Sequence, residues 1–199
     1  GFIMNILAIE SSSKQCSIAI HSNNSIHESS DIINNDSATS LPIMIEKMLS
    51  TLSLTFKDLD GIAISMGPGS FTGLRVGLSY AKGLSLTLDI PIIPISTFDL
   101  LLLPNIKDIQ DKLITVLIHS HGTTLYQSRY FLKNNSYVLE EDPISIILNN
   151  ISNENHGTIM YCGPEHLLDN INPLSSSVHI VFPAAKNMID IGIKNFDLL

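Results

Sequence analysis

The chain has 199 residues, of which 44% are hydrophobic and 15% charged, and its mean hydropathy of +0.26 excludes a disordered polymer. Eleven basic residues stand against nineteen acidic ones, for a net charge of −8, and the basic residues are scattered singly, so direct recognition of nucleic acid is disfavoured. No apolar run reaches the roughly 18 residues of a membrane span, no secretory signal is visible, and two cysteines suit a reducing compartment. We therefore expect a cytoplasmic protein without a membrane partner.

The first half of the chain predicts strands followed by alternating helices and strands. Three short strands, "IMNILAIE", "QCSIAIH" and "NSIHESS", are separated by polar turns that include Asn23-Asn24. Apolar residues recur at helical spacing over 41–52, with Pro42 placed in the first turn. "DGIAISM" predicts a buried strand, residues 72–88 a helix, "IIPIS" a further strand, and "TFDLLLL" a short helix that Pro104 ends.

The second half repeats this plan in outline. "LITVLIHS" and "TLYQSRYFL" predict paired strands around Gly122, and "DPISIILNNI" predicts a helix. "GTIMYCG" and "SVHIVF" predict strands, and residues 184–196 a closing helix. The expected fold class is therefore α/β with two lobes, the first over residues 4–104 and the second, reduced lobe over 105–199.

Five glycines fall between Ser65 and Leu86, in "SMGPGSFTGLRVGLSYAKGLSL". Gly67, Gly69 and Gly73 come directly before and within the start of a helix, which is where backbone N–H groups can cradle a phosphate. However, no Gly-Lys-Ser/Thr follows them, and glycines at 67, 69 and 73 do not have the spacing of a dinucleotide fingerprint. The spacing alone therefore gives weak support for a phosphate site.

A second interpretation concerns the surface of the predicted helix. Gly73, Gly77 and Ala81 recur every four residues and form one stripe without side-chain bulk. Interior glycines weaken a helix by about 1 kcal/mol each, so close packing is the expected reason for them. The spacing leaves open whether the neighbour is the protein's own sheet or another chain.

Three segments together resemble a known family: "ILAIESSSKQCSIAI", "GIAISMGPGSFTGLRVGLSYAKGLSL" and "IPIIPISTFDLL". The string "GPGSFTGLRVG" followed by "STFDLL" is specific to the TsaB family, also called YeaZ, of bacterial tRNA threonylcarbamoyladenosine biosynthesis proteins. The resemblance covers the first hundred residues and is thin beyond them. It implies an actin/Hsp70/sugar-kinase-like (ASKHA) fold of two RNase H-like lobes.

The resemblance also implies a role. TsaB proteins are non-catalytic partners of the catalytic subunit TsaD, acting with the ATPase TsaE to transfer a threonylcarbamoyl group to the adenosine beside the anticodon of tRNAs reading ANN codons. The helix after "SFTG" belongs to the surface used with TsaD or in a homodimer, and tRNA is contacted only indirectly. On this basis the partner interface comprises Thr72, Gly73, Leu74, Gly77, Leu78, Tyr80, Ala81 and Leu84.

We expect no catalytic residue and no metal ligand in this chain. The segment "NNDSATSLPIMIEKM" contains no histidine, whereas TsaD carries a His-x-x-x-His pair on the equivalent helix. Nucleotide contacts are a minor possibility, with capping of the hairpin the preferred role for the serines; the residues concerned are Glu10, Ser11, Ser12, Ser13, Gly67 and Gly69. The isolated chain is expected to bind no cofactor, with ATP or ADP and a metal entering through the partner.

Two alternatives remain open. One is an ASKHA-type small ATPase or phosphotransferase that uses the serine turn and the glycine loop. The other is a metal-dependent peptidase-like protein. His119 and His121 alternate on a predicted strand and would share a face, but no third metal ligand is apparent near them. Cys16 lies within a predicted strand and is expected to be a small buried hydrophobe.

Overall fold

The computed structural model describes residues 4–32, 37–152 and 154–196. It divides into two units: residues up to Leu100 together with those from Pro183 onward, and Leu101–Phe182. Each unit is built on a mixed β-sheet, which confirms the predicted α/β class with two lobes. Within the described residues, no helix combines the length and the apolar character that crossing a membrane requires.

Eleven strands and five α-helices make up the described chain. The strands are β1 (Ile6–Glu10), β2 (Gln15–Ser22), β3 (Ser25–Ile32), β4 (Gly61–Ser65), β5 (Ile92–Ile95), β6 (Leu113–His121), β7 (Thr124–Lys133), β8 (Ser136–Leu139), β9 (Ile144–Ile147), β10 (Thr158–Cys162) and β11 (Val178–Ile180). The helices are α1 (Ser37–Thr51), α2 (Phe71–Leu88), α3 (Thr97–Leu102), α4 (Leu168–Ile171) and α5 (Ala185–Phe196).

The two sheets share one plan. In the first sheet the strand order is β3-β2-β1-β4-β5; β2 is antiparallel to β1 and β3, and β4 is parallel to β1 and β5. The second sheet has the order β8-β7-β6-β10-β11 with the same directions, and β9 pairs with β7. This repeated order is that of two RNase H-like lobes. The two halves share no recognisable repeat of residue identities, so the match of the strand orders is established by the structure.

The first sheet is covered on both faces, which explains why β1 and β4 are buried at every position. Helices α1 and α2 cover one face, where Ile9, Ile18 and Ile64 belong to a single apolar cluster. Helix α5 covers the other face with Met188 and Ile189. One side of α2 therefore packs on the first sheet, and the opposite side of that helix faces solvent.

The position of the closing helix corrects the predicted domain limits. Helix α5 packs on β1 and β2 of the first unit, and the Ala185 N–H donates to Ser17 Oγ at 2.9 Å. The second unit thus ends at Phe182 and begins at Leu101, so the proposed division into 4–104 and 105–199 is wrong for the last residues. The sequence of an amphipathic helix does not indicate which sheet the helix will cover. Helix α5 was therefore assigned to the second lobe because it follows that lobe in the sequence.

Two further predictions differ from the structure. The segment expected as a helix around residue 146 forms strand β9, Ile144–Ile147, which pairs with β7 and is followed by a single 3₁₀ turn. Its β-branched isoleucines fit an extended strand better than a helix. Helix α1 begins at Ser37, so Pro42 lies inside the helix rather than in its first turn.

Candidate partner-binding surface

The glycine loop between β4 and α2 packs directly on the serine turn that follows β1. The Ser70 N–H donates to the Ser12 carbonyl at 2.6 Å, and the Ser70 hydroxyl caps α2 by accepting from the Gly73 N–H. A Cβ at Gly69 would lie 2.2 Å from the Ser12 carbonyl oxygen. The loop therefore needs glycine for a close backbone approach within the protein itself.

The small-residue stripe of α2 faces the protein's own interior. Gly73, Gly77 and Ala81 are the buried residues of this helix. A Cβ at Gly73 would lie 2.1 Å from the Ser11 carbonyl oxygen, and one at Gly77 would lie 2.3 Å from Ser11 Oγ and 3.2 Å from Ile64 Cδ1. The prediction that this stripe admits a foreign helix is therefore wrong. The glycines let α2 sit close to the first sheet, because any side chain there would strike the serine turn.

The other residues assigned to the interface are distributed around the helix. Leu78, Tyr80 and Leu84 are half-buried and pack at the margin of the core. Leu74 is also half-buried, whereas Thr72 is exposed. Burial raises the pKa of Tyr80, and the nearby Glu46 on α1 raises it further. These side chains thus hold α2 against its neighbours more than they present it to a partner.

The exposed side of α2, which we call the α2 outer face, carries different residues: Phe71, Thr72, Arg75, Ser79, Lys82, Gly83 and Leu86. Phe71 is 73% exposed and Leu86 86% exposed, unusually high values for large apolar side chains. The Arg75 guanidinium lies 5.2 Å from the centre of the Phe71 ring. The helix contains no acidic residue, so its outer face combines apolar side chains with positive charge.

Sequence reasoning named only Thr72 from this surface. The spacing of the small residues does not predict Phe71, Arg75 and Leu86, because it indicates only the opposite, buried side of the helix. A signal was nevertheless present. Once Gly73, Gly77 and Ala81 are assigned to the core, Phe71 and Leu86 fall outside the buried sector of the helix and need a separate explanation.

Glu10 is a fully buried carboxyl group at the end of β1. Its Oε1 accepts from the Ser12 N–H at 2.7 Å and from the Ser12 hydroxyl. Within the described part of the chain, Glu10 Oε2, Ser11 Oγ and Thr97 Oγ1 have no hydrogen-bond partner. Burial raises the pKa of Glu10, and its hydrogen bonds with Ser12 oppose that rise only in part. The environment of this carboxyl group thus favours its neutral form.

The residues considered for nucleotide contact are therefore mostly engaged in packing and hydrogen bonds within the protein. Ser11 and Ser12 are buried with Glu10, and Gly67 and Gly69 form the loop that covers them. Ser13 is half-buried; its hydroxyl donates to the Gln15 carbonyl at 3.0 Å and accepts from the Gln15 N–H at 3.2 Å. This is the cap of the β1–β2 hairpin that the sequence favoured. The N–H of Ser70 already binds the serine turn, so it is not free to hold a phosphate.

The histidine pair of the second unit lies at the end of β6. His119 Nε2 is 3.1 Å from the Gly122 carbonyl, and His121 Nδ1 is 3.0 Å from the Ser120 hydroxyl. The β6–β7 register shifts between the two histidines, so the simple alternation expected from the sequence is broken. Across residues 4–32, 37–152 and 154–196, no three His, Cys, Asp or Glu residues are grouped as metal ligands.

Cys16 is buried in β2 as expected, with 1% of its surface exposed. Burial, with the neighbouring Glu10 and Asp31 carboxyl groups, raises the pKa of its thiol to about 12. A thiol in this environment stays protonated at neutral pH and is a poor nucleophile. Cys16 thus behaves as a small core side chain.

Comparison with known proteins places the chain in a family. The family model described as tRNA N6-adenosine threonylcarbamoyltransferase, TsaD, matches residues 22–144. A TsaB protein of Buchnera aphidicola from Acyrthosiphon pisum is 33% identical over 190 residues, which are 92% of this chain and 86% of that protein. The TsaB protein of Escherichia coli is 32% identical over 94 residues, covering 47% of this chain and 41% of that protein.

A solved structure gives the fold. The structure described as YeaZ from Pseudomonas aeruginosa superposes with a TM-score of 0.82 at 17% identity, over 98% of this chain and 93% of that one. Fold and relatives together define a protein of the TsaD/TsaB class, built from two RNase H-like lobes. Within that class, the chain belongs to the TsaB (YeaZ) family, as the "GPGSFTGLRVG" segment indicated.

Proposed function

We propose that the chain is a non-catalytic partner of a TsaD-type subunit in the cytoplasm, and that the α2 outer face is its contact surface. Membership of the TsaB family ties the chain to threonylcarbamoyladenosine biosynthesis on tRNA. The observation that carries the finer proposal is the pair Phe71 and Leu86, two large apolar side chains exposed on a helix that the glycine stripe holds firmly.

The α2 outer face is suited to binding because it is already ordered. Glycines at positions 73 and 77 fix the helix on the sheet at close range, so the outer side chains lose little backbone freedom on binding. Complete burial of a Phe or Leu side chain contributes about 1.5–3 kcal/mol. Arg75 and Lys82 lie on the same side, so a partner surface with acidic residues around an apolar centre would be complementary.

In this proposal the chain works by holding its partner in an active arrangement, and it supplies no reacting group. Nucleotide and metal would enter through the TsaD-type subunit, with a TsaE-type ATPase joining the complex. Contact with tRNA would be indirect, because a net charge of −8 opposes binding to a polyanion. Without its partner the chain would form a homodimer.

Co-expression with a TsaD-type subunit tests the surface. We expect the two chains to elute as one complex in size-exclusion chromatography, and Phe71→Asp to abolish that complex while the variant's circular dichroism spectrum stays unchanged. A complex that survives Phe71→Asp would show that the surface is wrongly assigned.

The proposed lack of enzymatic activity has its own test. Calorimetric titration of the isolated chain with Mg-ATP should show no binding, because the serine turn and the glycine loop are packed on each other. Submicromolar binding, or hydrolysis of ATP by the lone chain, would contradict a scaffold role. It would favour the ATPase alternative instead.

A further inference from the structure

The strand β3 is an open edge of the first sheet. Its eight residues pair with β2 in one continuous antiparallel register, and within the described residues no strand pairs with its other edge. Ser25 to Asp31 are all exposed. The strand contains no proline, lysine or bulge, which are common devices that keep edge strands from pairing with other chains. Among the described residues, its outer backbone groups thus have no strand partner and could pair with a further strand.

A groove of about 480 Å³ runs between this edge strand and α1. Side chains of α1 and the residue after it form an apolar wall: Ile43, Met44, Met48 and Leu52. The residues of β3 that line the groove are all polar: His27, Glu28, Ser29, Ser30 and Asp31. His27, Ser29 and Asp31 pair with Ile20, Ile18 and Cys16 of β2, whose side chains belong to the core beneath α1, so these three share that face.

The groove also has a defined charge pattern. Asp31 lies on its polar wall and Lys47 on its helical wall, and neither forms an ion pair within the part of the chain that the structure describes. Glu28 contacts Lys186 of α5, which places its carboxylate on the opposite face of the sheet. The whole chain is acidic, with a net charge of −8, so its field favours a basic ligand near Asp31.

We propose that β3 and α1 form a docking site for an extended, basic segment of another protein, which adds to the sheet as a sixth strand. Backbone hydrogen bonds to the β3 edge would supply affinity, and alternate side chains would enter the groove. One would be basic and face Asp31, and others would be apolar and contact Met44 and Met48, whose flexible side chains adapt to varied shapes. This site is separate from the α2 outer face and does not depend on the function proposed above.

A second copy of the chain fits this site less well. In an antiparallel pair of β3 strands, each copy would offer only His27, Ser29 and Asp31 to the groove of the other. Those polar side chains leave the apolar wall of α1 without a complementary surface. The observations therefore favour a foreign segment.

The probe for this site is a capped heptapeptide, Thr-Lys-Thr-Leu-Thr-Leu-Thr. In antiparallel register its lysine lies opposite Asp31, and its two leucines lie opposite Ser29 and His27, all on the groove face. The control probe has the same sequence with N-methyl groups on the backbone amides that would pair with β3. It keeps every side chain but loses the N–H groups that would donate hydrogen bonds to β3, and the methyl groups obstruct close pairing with the strand.

Binding is measured by fluorescence anisotropy of the labelled probe, and its position by amide hydrogen exchange of the intact chain. We expect slower exchange over Ser25–Asp31 with the probe and no effect of the methylated control. Asp31→Lys should weaken binding about fivefold or more, as expected for loss and reversal of one exposed charge pair. Asp169→Lys, an equal charge change on exposed α4 of the other unit, should leave binding unchanged.

Three outcomes would overturn the proposal. The methylated probe could bind as tightly as the unmethylated one, the probe could protect only amides that lie outside β3, or Asp31→Lys and Asp169→Lys could change binding equally. Formation of dimers protected along β3 in the absence of the probe would also overturn it, because the occupant would then be a second copy. Neither the α2 outer face nor a TsaD-type subunit takes part in these measurements, so failure here would leave the proposed function untouched.

Discussion

The close contact between α2 and the serine turn makes a strong prediction about two glycines of the same helix. At Gly73 a Cβ would lie 2.1 Å from the Ser11 carbonyl oxygen, whereas at Gly83 a Cβ would meet no atom within 4 Å. The same substitution, glycine to alanine, should therefore have opposite effects at the two positions. The first tests the internal packing of the stripe, and the second controls for helix propensity.

The magnitudes follow from the two local environments. Gly83→Ala should raise the free energy of unfolding by about 0.8–1 kcal/mol, since an exposed helical position gains propensity without a clash. Gly73→Ala gains at most a similar amount from helix propensity, but its new methyl group must displace the Ser11 carbonyl. Overpacking of this kind lowers the free energy of unfolding by about 3 kcal/mol at the upper end of its usual range. We therefore expect a net loss of about 2 kcal/mol, a large part of the stability of a small protein.

Urea denaturation followed by circular dichroism at 222 nm measures both variants. The urea concentrations at the unfolding midpoint should move in opposite directions for the two variants. The slope of the free energy of unfolding against urea concentration should stay unchanged, since neither substitution alters the surface exposed on unfolding. If Gly73→Ala were as stable as Gly83→Ala, the stripe would not be packed on the serine turn. The small residues would then need an external neighbour, as the partner interface implied by the family resemblance requires.

Other predictions concern buried ionisable groups. Because the pKa of Glu10 is raised in the folded state, its neutral form stabilises the fold below the usual pKa near 4.5, and that contribution is lost as pH rises through the folded value. In urea titrations, Glu10→Gln should therefore gain stability relative to the parent as pH rises above about 4.5. A difference that stays constant with pH would contradict a raised pKa for Glu10. Cys16, with a pKa of about 12, should react with iodoacetamide at pH 7.5 only after urea unfolds the chain, and modification of the native chain at the rate of the unfolded one would refute its burial.

Local signals in the sequence predicted much of the first unit. Asn23 and Asn24 have φ values of 50° and 59°, the backbone that a tight two-residue hairpin requires and that asparagine tolerates. Asn134 and Asn135 adopt the same conformation, at 52° and 62°, and connect β7 to β8. The identical signal was present there, yet β8 was missed because its four residues "SYVL" are too short to show a period.

The errors have a common physical origin in contacts between distant residues. Spacing shows that Gly73, Gly77 and Ala81 share one side of α2, but it cannot say which surface that side meets. The answer depended on Ser11, more than sixty positions earlier in the chain. In the same way, α5 covers a sheet whose first strand lies at the opposite end of the sequence. The periodicity of apolar or small residues describes a single helix or strand, so it does not predict which distant residues that element contacts.

The proposed function requires that the chain act by being bound through the α2 outer face. The most direct measurement is the affinity of the purified chain for a TsaD-type subunit, with Leu86→Asp compared to Leu139→Asp. Leu86 is 86% exposed on α2, and Leu139 is 46% exposed at the end of β8 in the other unit.

We expect Leu86→Asp to weaken the complex by about 2 kcal/mol, close to thirtyfold in the dissociation constant, and Leu139→Asp to leave it within twofold of the parent. Equal affinities for the parent and Leu86→Asp, with both variants folded, would contradict the central claim.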